Sequence, residues 1–244
     1  MIIDLLILCE GITDQALIGC YIEDISEWKF CKKIKNNPFV NAEITWYKNQ
    51  EGHFLGIWNA NGVDNFNNSI NTICKRESYE HCISKLLIVT DNDDEKVELE
   101  RLNSICKIIK QNLDGQFGEE NILPNQYYNY TWNGNFGISN IQIGYLLVPL
   151  EGHGALETFM LDALSENMPE KKEVIEQVKQ FLKDFKSKTY LVSRRMRIKA
   201  ELGVSLSIMN PDKSFLIMKE LIDSVDWKKY QATYEQFKMI RESL

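Results

Sequence analysis

The stretch Ser84-Lys85-Leu86-Leu87-Ile88-Val89-Thr90 runs without a break into Asp91-Asn92-Asp93-Asp94-Glu95. A short apolar run bounded by polar turn residues reads as a strand buried on both faces of a sheet. Beyond the acids, Val97, Leu99, Leu102, Ile105, Ile108 and Ile109 recur at helical spacing, and Lys107 and Lys110 stand toward the end. That spacing predicts an amphipathic helix with cations near its negative pole. Strand, turn and helix in this order make half of a βαβ unit. The pattern occurs twice more. Met1 to Cys9 is apolar, Glu10-Gly11 breaks it, and Thr13 or Asp14 is placed to cap a helix over 15–25. Ile141 to Leu150 is a third strand, and Glu151-Gly152-His153-Gly154 turns the chain into a helix over 155–164.

The remaining segments are placed around these three units. Candidate strands at 29–34, 42–47 and 54–58 are separated by Asn, Pro and Gly, and a helix is expected over 66–76. The polar, aromatic stretch from Gln116 to Asn140 reads as a long surface loop or flap that could hold a hairpin, its Tyr127, Tyr128, Tyr130, Trp132 and Phe136 available either to stack on bases or to pack down as a small cluster. Helices are expected over 170–185, 189–202, 213–225 and 230–243, the last pair carrying Phe215, Met218, Leu221, Ile222 and Val225 as core or oligomer contacts. The fold class is therefore α/β, with a central, mostly parallel sheet flanked by helices. Residues 1–165 form the α/β domain and 166–244 a helical extension packed on the same core.

Composition narrows the function. A chain of 244 residues with 44% hydrophobic and 26% charged residues can bury a full core. Its longest apolar run is broken by Asp4 and ends at Glu10, too short to cross a bilayer and without the basic start of a signal peptide, so a cytoplasmic protein is expected. The six cysteines lie far apart with no C-x-x-C pair, which argues against structural zinc and for reduced, buried thiols. The formal net charge of −7 lacks the basic footprint of a protein that grips nucleic acid by charge alone. A metal-dependent enzyme escapes that objection, because bound cations offset carboxylates where phosphate must sit.

Three acidic clusters carry the chemistry: Glu10 with Asp14, Asp91 with Asp93, and Glu151 with Glu157. Each follows an apolar strand and precedes a helix. An acid at a helix start also caps the helix or meets its dipole, which explains any one of them singly. Ligands of open parallel sheets, however, sit beyond the carboxyl ends of the strands, and clustered carboxylates repel unless a cation joins them. Hard divalent ions take such oxygen ligands. Arg194, Arg195, Arg197 and Lys199 form a dense basic patch, read as a helix face near its C-terminus or as a phosphate-facing surface. His153 is either a proton-transfer group or part of a Gly-rich turn.

Leu6-Ile7-Leu8-Cys9-Glu10-Gly11-Ile12-Thr13-Asp14 resembles the first TOPRIM motif, and Leu87-Ile88-Val89-Thr90-Asp91-Asn92-Asp93 resembles the second, a strand ending in D-x-D. Val148 to Glu157 is similar to the third segment of small bacterial stand-alone TOPRIM proteins related to the overcoming-lysogenization-defect nucleases. The resemblance covers roughly the first 160 residues. It implies a TOPRIM-like Rossmannoid fold and a nuclease that hydrolyses phosphodiester bonds of DNA or RNA with Mg²⁺ or Mn²⁺, in phage defence or nucleic-acid processing. By the same resemblance Glu10, Asp91 and Asp93 are primary metal ligands and catalytic residues. Asp14 is a further ligand or orients one, Glu157 helps hold a second metal, and Lys199 is the basic catalytic residue, a role Arg194 or Arg197 could also fill. Asp94 and Glu95 extend the second motif beyond the family pattern.

Nucleic acid is the expected partner, with no membrane contact, and a homodimer is compatible with the C-terminal helices. The alternative function is a non-catalytic TOPRIM-like module that binds a partner such as a separately encoded ATPase, since the chain has no Walker A loop of its own. A phosphatase or phospho-receiver ranks last: Glu95 occupies the fifth position of the D-x-D segment, where a phosphatase places Thr or Val, and Glu10 alone after the first strand suits a receiver poorly.

Overall fold

The apolar runs near residues 1–9 and 84–90 lie side by side as parallel strands, β1 (Ile3–Cys9) and β5 (Ile83–Asp91), with Leu6 opposite Leu86. The computed structural model describes residues 2–32, 34–62, 65–92, 95–119, 121–166, 168–186, 189–213 and 218–244, the side chains of 95 and 96 excepted. Between the two strands run α1 (Ile12–Ile25), β2 (Lys29–Cys31), β3 (Ile44–Lys48), β4 (Phe54–Asn59) and α2 (Phe66–Tyr79). After β5 come α3 (Glu95–Asn112), β6 (Gly115–Phe117), β7 (Gln126–Gly134) and β8 (Gly137–Val148). Among the described residues the α-helices that follow are α4 (Leu156–Ser165), α5 (Pro169–Asp184), α6 (Arg194–Met209), α7 (Met218–Asp223), α8 (Gln231–Gln236) and α9 (Lys238–Arg241).

The strands form one sheet in the order β2-β3-β4-β1-β5-β8-β7-β6. Its four central strands, β4, β1, β5 and β8, are parallel, and both flanks are antiparallel. The sheet is thus mixed rather than mostly parallel. The reason lies in the connections: a crossover helix returns the chain in parallel, whereas the short links between β3 and β4 and between β7 and β8 can only make antiparallel neighbours.

Period-two alternation explains why β1 and β5 read as unbroken apolar runs. Leu5, Ile7, Cys9, Leu87 and Val89 point to one face and join a core with α1, α4 and the C-terminal helices. Leu6, Leu8, Leu86 and Ile88 point to the other and pack under α2 and α3. Ile175, Leu202, Leu206, Leu221, Phe237 and Ile240 of the C-terminal helices share the first core with Leu17 and Ile18 of α1.

Further expectations need correction. The stretch from Gln116 to Asn140 holds the hairpin that its sequence allowed, β7 against β8 with Gly134 pairing with Gly137, and is sheet rather than a surface loop or flap there. Tyr128, Tyr130 and Trp132 alternate into the core, and the Tyr130 hydroxyl donates to the Leu113 carbonyl at 2.7 Å. Those three rings cannot stack on bases, and only Phe136, at the hairpin tip, stands exposed. The helix expected over 189–202 begins at Arg194 and runs to Met209, so the basic patch opens that helix instead of closing it. The helix expected over 230–243 is split at Phe237 into α8 and α9. Phe215 lies outside the described residues. Among the described residues, no helix is long and apolar enough to cross a membrane.

Candidate functional site

The adjacency of β1, β5 and β8 decides where the acids meet. Because the three run parallel as neighbours, the residues that follow them emerge at one edge of the sheet. Glu10 comes directly after β1, Asp91 is the last residue of β5, and β8 leads through residues 149–155 to Glu157 in the first turn of α4. Asp14 lies in the first turn of α1, whose N-cap is Gly11 rather than Thr13 or Asp14. The Asp14 carboxylate folds back to accept from the Gly11 amide at 2.8 Å, and a glycine cap leaves that turn with no competing side chain.

Glu10, Asp14 and Glu157 are each less than a tenth exposed. Glu10 Oε1 accepts from the Asp91 amide at 3.1 Å, which ties the end of β5 to the end of β1. Asp91 Oδ1 accepts from the Leu156 amide at 3.0 Å, which ties β5 to the start of α4. The acids therefore stitch three strand ends together through backbone amides. Burial and, after it, mutual repulsion show in the protonation of two of them. Burial, then the charges of Glu10 and Glu157, pushes Asp14 up to about 7. Burial, then Glu10 and Asp14, pushes Asp91 up to about 8. Positive charge brought to such carboxyl groups favours loss of their protons.

Cations surround the cluster. Arg101 Nη1 lies 3.5 Å from Glu10 Oε1 and 3.0 Å from Glu98 Oε1, and Lys199 Nζ lies 2.9 Å from Glu157 Oε1. A cavity of about 250 Å³ opens here, lined among others by Glu10, Asp91, Arg101, Glu157, Arg194 and Arg195. Arg197 turns elsewhere and donates to the Leu182 carbonyl at 2.8 Å, a role in holding α6 to the end of α5. Among the described residues, no three His, Cys, Asp or Glu side chains are already arranged to hold a metal ion. Asp93, the second acid of the D-x-D segment, and Asp94 lie outside the described residues, as does the Glu95 side chain.

A family model described as a protein of unknown function (DUF3226) matches residues 4–240. The chain belongs to that family. No curated protein matches it. The match spans both the sheet and the C-terminal helices, so the family includes the helix that brings Arg194, Arg195 and Lys199 to the acids.

The structure brings together Glu10, Asp14, Asp91, Glu157 and Lys199. It leaves out Glu151, which is exposed on the turn after β8, and His153, which lines a neighbouring cavity. Two site residues escaped sequence reading, Glu98 and Arg101. The signal was present: Glu98 stands at helical spacing with Leu102, Ile105 and Ile109, on the buried side of α3. A charge there needs a partner, and Arg101, one turn on, is that partner.

Proposed function

We propose that this protein is a TOPRIM-like, divalent-metal-dependent nuclease that hydrolyses phosphodiester bonds. The observation that carries the reading is the meeting of Glu10, Asp14, Asp91 and Glu157 from three strand ends beside Arg101, Arg194, Arg195 and Lys199. The donor set suits a hard cation: all its ligating atoms are carboxylate oxygens, and burial followed by neighbouring acids keeps Asp14 and Asp91 above the usual carboxylate range, a state that a bound cation relieves. Glu10 and Asp91 would hold the ion, with Asp14 and Glu157 in support. A bound Mg²⁺ or Mn²⁺ supplies Lewis-acid polarisation of a phosphoryl oxygen and a water acidic enough to attack at neutral pH.

The chain's own groups do the rest. Arg194 and Arg195, exposed on the first turn of α6, offset the charge of an entering phosphodiester. Lys199 positions Glu157 through its ion pair, and Arg101 does the same for Glu10. The backbone amides of residues 91 and 156 fix Glu10 and Asp91 toward one another without a flexible intermediary.

The test is incubation of the purified protein with plasmid DNA and structured RNA in Mg²⁺ or Mn²⁺, beside Glu10→Gln and Asp91→Asn. Cleavage by the wild type that falls at least a hundredfold in both variants is the expected result. A second reading, a non-catalytic module that docks on a partner protein, is favoured by one observation: Glu10 and Glu157 already face cationic side chains. Wild type and variants equally inert with both metals, and no heat of Mn²⁺ binding, would establish that reading instead.

A further inference from the structure

Beside the carboxylate cavity lies a larger one, of about 460 Å³, within the range of roughly 300–1,000 Å³ common for small-molecule sites. Adjacent residues line the two. Asp91 faces the first and Asn92 the second, Arg101 the first and Glu98 the second, Gly154 the first and His153 the second. The partition between them is thus one ion pair, Arg101 with Glu98, and one backbone bridge, in which the Gly154 amide donates to the Asn92 carbonyl at 2.7 Å.

The second cavity differs in chemistry from the first. Its walls are largely apolar, built by Leu102, Leu147 and Leu150, with Leu99 and His153 at its open side. Its buried charged group is Glu98, 3% exposed. Glu98 Oε2 accepts from the hydroxyls of Thr90 at 3.2 Å and Tyr145 at 2.7 Å and from Arg101 Nη1 at 3.2 Å. Glu98 Oε1 lies 3.0 Å from Arg101 Nη1 but out of line with its N–H, and accepts no hydrogen bond among the described residues. A buried acceptor with an unused lone pair costs free energy until an N–H reaches it. A phosphate, itself anionic and without such a donor, is excluded there.

We propose that this cavity seats a single unpaired nucleobase of the substrate strand, its flat face on Leu102, Leu147 and Leu150 and an N–H of its edge donating to Glu98 Oε1. The base-bearing nucleotide then places its phosphate over the partition, at Asp91 and Glu10. A base is the fitting occupant because it alone joins an apolar face, an N–H edge and a covalent link to the phosphodiester next door. The consequence is selection for single-stranded or locally opened nucleic acid, since a stacked and paired base presents neither its face nor that edge. The phosphate half of this inference rests on the nuclease reading. The base half rests on the cavity alone.

The two halves separate experimentally. Guanosine, adenosine, cytidine and uridine, probes without phosphate, are titrated calorimetrically into the full chain in EDTA. At least one is expected to saturate the wild type. Leu99→Trp, a change at a partly exposed wall, is expected to weaken that nucleoside at least tenfold, and Glu98→Gln to weaken it also. Arg194→Ala, in the other cavity, is expected to leave it within twofold. Absence of binding by all four, or full binding by Leu99→Trp, overturns the base site. Nucleoside binding without cleavage in Mg²⁺ or Mn²⁺ keeps the base site and removes the nuclease. Cleavage without nucleoside binding, and with unchanged cut-site preference in Leu99→Trp, does the reverse.

Discussion

Asp14 and Asp91 hold their protons in the folded chain up to about 7 and about 8, whereas in an unfolded chain they lose them near 3.9. Between those values the folded state binds more protons than the unfolded one, so stability must fall as pH rises. The loss begins near pH 4 and is complete above the folded values. In EDTA the denaturation midpoint is therefore expected to be lower at pH 8.5 than at pH 5. Asp14→Asn keeps an oxygen for the Gly11 amide but no longer ionises. It is expected to gain more stability over the wild type at pH 8.5 than at pH 5, by on the order of 2 kcal/mol. Mg²⁺ added at pH 8.5 should do the same for the wild type, because a ligand bound only by the folded state stabilises it. Urea melts at the two pH values decide the matter, and a protein more stable at pH 8.5 than at pH 5 in EDTA contradicts the like-charge account. The residues also differ in how far sequence revealed them. Glu10, Asp91 and Glu157 were legible because each follows an apolar run at a chain turn. Glu98 and Arg101 were harder to see, since a Glu and an Arg within a helix read as solvated unless the spacing of Glu98 with Leu102, Ile105 and Ile109 is followed to the buried face of α3.

At the scale of elements, α6 sets stability against use. Arg194 and Arg195 occupy its first turn, where the helix dipole disfavours cations, and Ser193 caps it by accepting from the Met196 amide at 3.2 Å. Replacing both arginines with Gln is expected to lower nucleic-acid affinity at least tenfold and to leave stability within about 1 kcal/mol, relief of the dipole being set against loss of positive charge beside the acids. Thermal melts and a fluorescence-anisotropy titration measure the two effects, and a variant that loses stability as well would assign the basic turn to folding. The β7–β8 hairpin gives a contrasting case. Tyr130 is fully buried, stacks edge-on against Phe117 and donates to Leu113, so Tyr130→Ala is expected to cost about 3–5 kcal/mol. Phe136→Ser, at the tip, is expected to stay within about 0.5 kcal/mol. The alternation of Tyr128, Tyr130 and Trp132 with Asn129, Thr131 and Asn133 was readable as a strand. A polar, aromatic composition hid it, because aromatic side chains serve loops and sheets alike. The start of α6 is marked by two signals: Thr189, Tyr190, Val192 and Ser193 are weak helix formers, and Ser193 caps the turn that follows.

For the molecule as a whole, a net charge of −7 means that a polyanion meets a repulsive surface except where cations gather. Arg101, Arg194, Arg195 and Lys199 gather beside the acids, where Glu10 faces Arg101 and Glu157 faces Lys199 in the absence of a metal. Association with single-stranded DNA should then depend on a divalent ion first and on monovalent salt only weakly. With Ca²⁺ as a cation that supports binding without rapid turnover, the affinity is expected to exceed that in EDTA at least tenfold. Neutralising three or four phosphates of a single strand gives a slope of log affinity against log salt of roughly −2 to −3, far shallower than that of a protein that grips DNA along a basic face. An anisotropy titration across salt concentrations, with and without Ca²⁺, reads both quantities. Equal affinity in EDTA and Ca²⁺ would mean that the carboxylates take no part in binding, and a slope steeper than about −6 would place the contact on a surface other than this one.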